Sequence, residues 1–126
     1  MLRYVLLRHE CPEDYRDGPH WDLMLEHADA LRTWSLLTLP AAWSKDASAA
    51  HAVEAKELPD HRVAYLTYEG EVSGGRGTVK QQAAGEYAVV SQDDDQLLVQ
   101  ATSGALVGEW RLTREQAEVW RLEAGR

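Results

Sequence analysis

The stretch GPHWDLMLEH (residues 18–27) decides how the rest of the chain is read. Taken with a period of two, it separates into two faces, the pattern of a strand with one side turned to a core. Trp21, Leu23 and Leu25 fall on one face, and His20, Asp22, Met24 and Glu26 on the other. On a strand, residues two apart point the same way at a spacing of about 7 Å. His20 and Asp22 therefore present an imidazole and a carboxylate side by side, with a methionine next to them.

Working outward, short alternating runs are separated by turn signals, which predicts a mainly β protein. RYVLLRH (3–9) is a first strand with a buried middle, and CPEDYRDGP (11–19) is a loop, rich in charge and broken by two prolines. LRTWSLLT (31–38) follows as a third strand after a turn around His27–Asp29. HRVAYLTYEG (61–70) alternates and reads as a strand ending at Gly70. The glycine-rich turn SGGRG (73–77) then leads into TVKQQ, GEYAVVSQ, DQLLVQAT and ALVGEWRLT, strands spaced as in a meander. The alanines between Pro40 and Asp60 permit a short helix within 46–57. At the C-terminus, Thr113 and Gln116 have capping-box spacing for a helix through REQAEVWRLE. The alternative is a tight turn at EQA and a last strand EVWRLE pairing with EWRLT.

The 126 residues suit one domain spanning 1–126. No apolar run reaches membrane-spanning length, and the start reads as a strand rather than a signal peptide. A single cysteine, Cys11, excludes an internal disulfide and favours a cytoplasmic location. The formal charge of −8, from 21 acidic against 13 basic residues, disfavours a broad duplex-gripping surface. It leaves room for an enzyme that recognises one phosphate at a strand end through a metal ion. The tryptophans are assigned to core and rim packing, and His27 and His51 to the surface.

His20 and Asp22 need a third partner to hold a metal, and His9 at the end of the first strand is the natural candidate. Two imidazoles and a carboxylate suit a borderline divalent ion such as Mn, Fe or Zn. His61 and Tyr65, four apart on the 61–70 strand, offer a histidine and a phenol to a phosphate oxygen or leaving group.

The succession RH, HWDLMLE, TWSL and DHRVAYLTYEGEVSGGRGTV resembles the 3′-phosphoesterase module at the N-terminus of bacterial DNA ligase D. The resemblance covers nearly the whole chain and lies in the order of the motifs, so the chain reads as a stand-alone divergent member. It implies a small closed or partly closed antiparallel β barrel, with short helical segments and a polar interior holding a divalent metal, usually Mn2+. The implied activity is removal of 3′-phosphates and 3′-ribonucleotides from DNA ends, at a primer–template or nicked duplex, beside a DNA ligase or polymerase. Carried over by motif, the metal ligands are His9, His20 and Asp22, and the active-site histidine and tyrosine are His61 and Tyr65. The resemblance also favours the C-terminal hairpin over the helix.

Three departures stand out. The family's arginine two residues past the aspartate is Met24, its glutamine two before the first histidine is Leu7, and its lysine after the W strand falls near Thr38. Each removes a group able to hold phosphate oxygens, and an arginine's bidentate grip has no substitute in methionine. The EDYRDG segment also lengthens the gap between His9 and His20. Arg76, beside exposed N–H groups of the glycine turn, is the expected replacement anion ligand, whereas Arg8 should point away from His9. Two other functions compete with the phosphoesterase. One is a metal-binding repair module with weakened catalysis; the other is a mononuclear iron oxygenase, since His-x-Asp plus a distant His is also its pattern.

Overall fold

A computed structural model describes residues 1–13, 18–72 and 74–125. Among the described residues nine strands form one antiparallel sheet: β1 (Leu2–Glu10), β2 (His20–His27), β3 (Ala30–Leu36), β4 (Ala52–Arg62), β5 (Gly70–Glu71), β6 (Thr78–Gln92), β7 (Gln96–Ala101), β8 (Gly108–Gln116) and β9 (Val119–Ala124). The order β1-β2-β3-β4-β9-β8-β7-β6 closes on itself because β1 also pairs with β6, leaving β5 as a short flap on β6. The result is a closed eight-stranded antiparallel barrel, in line with the closed or partly closed barrel that the resemblance implies.

Strand alternation creates two buried layers. Leu6 of β1, Leu23 of β2, Trp34 of β3, Trp110 of β8 and Trp120 of β9 belong to a large apolar cluster fed by all eight barrel strands. Trp34 and Trp120 meet edge to face at 5.6 Å, as do Tyr4 and Trp110 at 5.0 Å, a geometry worth about 0.5–1.5 kcal/mol beyond the area buried. The opposite face of β1 and β2 carries Val5, Leu7 and Met24, which pack with Leu31, Val79 and Leu66 in a smaller cluster. His9, His20 and Asp22 share that alternation, so the buried polar group that could hold a metal lies in the second layer.

Three expectations fail locally. Residues 46–57 hold no helix; Val53 and Ala55 are buried while Glu54 and Lys56 are exposed, the alternation of β4. Pairing with both β3 and β9 overrides the helix propensity of the alanines. The expected strand 61–70 ends at Arg62 and turns into a 3-10 segment, Val63–Leu66. That turn buries Leu66 on the smaller cluster, which a continuing strand would carry past. TVKQQ and GEYAVVSQ are one long strand, β6, which pairs first with β1 and then with β7. The C-terminus is the hairpin: Gln116 faces Val119 across a two-residue turn with Ala117 at φ 48°. Among the described residues no helix is long and apolar enough to cross a membrane.

Candidate metal centre

In the register of β1 with β2, His9 stands directly opposite His20, and Leu7 opposite Asp22. Asp22 is therefore diagonal to His9 and two residues from His20 on its own strand, the relation that brings side chains of one face together. All three are buried, at 4%, 1% and 2% exposure. His9 Nδ1 lies 3.7 Å from Asp22 Oδ2, and His20 Nε2 lies 3.3 Å from Asp22 Oδ1. One ligand atom from each residue falls within 4.8 Å of the others.

The outer nitrogens fix the rings. A carbonyl can only accept, so His9 Nε2–H donates to the Arg76 carbonyl at 2.7 Å and His20 Nδ1–H to the Gly18 carbonyl at 2.7 Å. With these outer nitrogens engaged, His9 Nδ1 and His20 Nε2 are the atoms turned towards Asp22. Burial alone pushes the Asp22 carboxyl up, but hydrogen bonds and charge from His20 and His9 outweigh it and hold it at about 2. With those imidazole protons displaced, two nitrogen lone pairs and an anionic oxygen would repel one another in this buried space unless a cation lay among them. The donor set therefore fits a divalent metal, with histidines oriented by backbone carbonyls as in protein metal sites generally.

The Arg76 carbonyl reaches His9 because the glycine turn lies on the chain leaving β1. Gly77 has φ +92°, and a Cβ there would strike the Glu10 carbonyl and come within 2.7 Å of the Cys11 Cα. Only glycine permits this approach. The turn's first residue, Ser73, and the loop residues 14–17 that lengthen the His9–His20 gap lie outside the described residues.

His9 and Asp22 line a cavity of about 290 Å³ together with Met24, His61, Tyr65 and Arg76. Every sequence-predicted site residue lines this cavity except His20, which is buried and joins the others through its contacts with His9 and Asp22. His61 and Tyr65 meet there because of the 3-10 turn, not as neighbours on one strand face. Their rings lie 5.8 Å apart at 71°, and His61 Nδ1–H donates to the Pro59 carbonyl at 2.9 Å, leaving Nε2 as the nitrogen for other chemistry. Arg8 is turned outward, paired with Glu10 at 2.8 Å and stacked over Trp21. Thr38 is exposed and does not line the cavity.

Asp60 and Arg62 also line it, and sequence reasoning missed both. Strand alternation places residues 60 and 62 opposite His61; the turn beginning at Val63 is what returns Arg62 to the cavity. Adjacency to His61 is the one signal that marks them.

Comparison with curated proteins yields no match. The family described as the DNA ligase D 3′-phosphoesterase domain matches residues 8–114, a span that includes both histidines and the aspartate of the buried cluster, the 3-10 turn and the glycine loop; the chain belongs to that family.

Proposed function

We propose that this chain, as one domain over residues 1–126, is a metal-dependent phosphoesterase that removes 3′-phosphates and 3′-ribonucleotides from DNA ends during repair. We further assign Mn2+ as the working ion, with Zn2+ or Fe2+ as substitutes, primer–template or nicked duplex as substrate, and a DNA ligase or polymerase as the downstream partner in the cytoplasm. One observation carries this reading. The buried His9–His20–Asp22 cluster opens onto a cavity whose wall supplies His61, Tyr65 and Arg76.

In this reading His9, His20 and Asp22 would hold the ion, which would supply Lewis-acid polarisation of a phosphate and activation of water. The Arg76 guanidinium balances the charge of the phosphoryl oxygens, and the Tyr65 hydroxyl donates to one of them. His61, steadied through Nδ1 by the Pro59 carbonyl, gives a proton from Nε2 to the departing sugar oxygen, a contribution of about 10²–10⁴ in rate. Asp22, held at about 2, remains anionic throughout the neutral range.

Turnover of 3′-phosphate and 3′-ribonucleotide duplex ends with Mn2+ tests the proposal, with His61→Ala as the control. Mn2+-dependent hydrolysis that falls by at least two orders of magnitude in the variant supports it. Equal turnover in the two proteins removes the role of His61. One observation favours a second reading, a metal- and end-binding module with weakened hydrolysis: Met24 and Leu7 are both buried in an apolar cluster beside the ligands. Tight binding of metal and of DNA ends without any hydrolysis would select it.

A further inference from the structure

A second cavity of about 260 Å³ adjoins the first and shares Arg62, Tyr65 and Val72 with it. The rest of its wall is Ala64, Tyr68 and Glu71. The rings of His61, Tyr65 and Tyr68 follow one another at 5.8 Å spacings, each edge to face with the next, leading from the metal cavity into this one. Tyr68 is 40% exposed, unusual for a large ring that serves packing alone. It is nonetheless held: its hydroxyl donates to the Glu71 carbonyl and lies 3.3 Å from where a Cβ on Gly70 would stand. Gly70 has φ +130°, so the residue beneath the hydroxyl is constrained to be glycine on two counts.

The chemistry of this wall is that of a nucleoside site. Two phenol rings and Val72 offer faces for stacking, which costs little entropy when a ring is already fixed. The Glu71 carboxylate accepts hydrogen bonds and repels anions, so it suits an exocyclic amino group and disfavours a second phosphate. Among the described residues of the wall the cation is Arg62, which sits on the boundary with the first cavity, where an anionic group joined to the nucleoside would lie.

We propose that this second cavity binds the 3′-terminal nucleoside of the substrate strand. Its base stacks on Tyr68, its 3′-phosphate enters the metal cavity, and Arg62 bridges the two at the phosphoester. The proposal rests on the reading of the metal cavity as the phosphate site. It makes Tyr68 a binding residue for the base, outside the catalytic machinery.

The test is equilibrium binding of DNA carrying a non-hydrolysable 3′-methylenephosphonate end, with Mn2+, read by fluorescence anisotropy. Two ends are compared, one with a normal terminal base and one abasic at that position. Tyr68→Ala should weaken binding of the normal end about tenfold and leave the abasic end within twofold, while Tyr68→Phe, which keeps the ring but not its tether, loses less than Tyr68→Ala on the normal end and nothing on the abasic one. An equal loss on the two ends, or no loss on either, overturns the nucleoside assignment and leaves the phosphoesterase reading standing. Wild-type protein that binds neither end overturns both.

Discussion

Replacing Met24 by arginine puts a guanidinium at a position 1% exposed, in a cluster with Val5, Leu7, Leu31, Leu66 and Val79. Burying such a charge without a partner costs several kcal/mol, so Met24→Arg alone should lower stability by about 2–4 kcal/mol in urea unfolding. Leu7 belongs to the same cluster, and both positions are polar in the pattern this chain resembles. The two departures are thus one exchange of a polar wall for an apolar one. Leu7→Gln with Met24→Arg should recover about 0.5–3 kcal/mol relative to the sum of the single changes, and a gain in turnover should appear first in that double variant. Arg76, which lines the cavity, has two separable parts, its side chain and the carbonyl on His9. Arg76→Ala removes only the first. Turnover should fall by about 2–4 kcal/mol of transition-state stabilisation, with Mn2+ affinity unchanged by calorimetry.

At the scale of elements, the glycine turn holds His9 through its backbone, and through His9 would act on a bound ion. Gly77→Ala must lift the turn away from Glu10 and Cys11, and the Arg76 carbonyl with it. Loss of such an orienting partner typically lowers metal affinity 10–100-fold, and calorimetric Mn2+ titration of Gly77→Ala should show that drop. Unchanged affinity would mean that His9 keeps its orientation without the carbonyl. This contact could not be read from the sequence, since it depends on a turn near residue 76 settling on a strand end near residue 9. The convergence of His9, His20 and Asp22 was legible because a strand's period of two and an antiparallel register decide it locally. β4 was illegible for the opposite reason. Its alanines favour a helix, and only its neighbours β3 and β9 make it a strand. His61 and Tyr65 were placed in one site on a false premise, an unbroken strand, and the 3-10 turn that joins them also carried Arg62 in unnoticed.

For the molecule as a whole, closure depends on residues that span the β1 seam. Tyr87 on β6 donates its hydroxyl to the Glu26 carbonyl on β2 at 2.6 Å, across the intervening β1. Burial, and then the Glu26 charge, raise this phenol from 10.0 to about 12. The native state therefore holds the proton more tightly than the unfolded chain does. The stabilisation is full below pH 10 and is lost as the pH rises from 10 towards 12. Urea midpoints should fall across that window and fall less in Tyr87→Phe, with Tyr4, also raised by burial, supplying part of what remains. The same seam separates two moments of folding. The ligands His9, His20 and Asp22 lie within one hairpin, whereas β1 reaches β6 only through pairs such as Leu2 with Tyr87. Contacts of that sequence separation are slow to form, while a hairpin closes early. A divalent ion held by this group would thus gather its three donors before the barrel exists, and Arg76 would join them only when the barrel shuts. In a chevron plot Mn2+ should raise the refolding limb, and Gly77→Ala should raise the unfolding limb; the ion would then be a nucleator of the fold as well as its cargo.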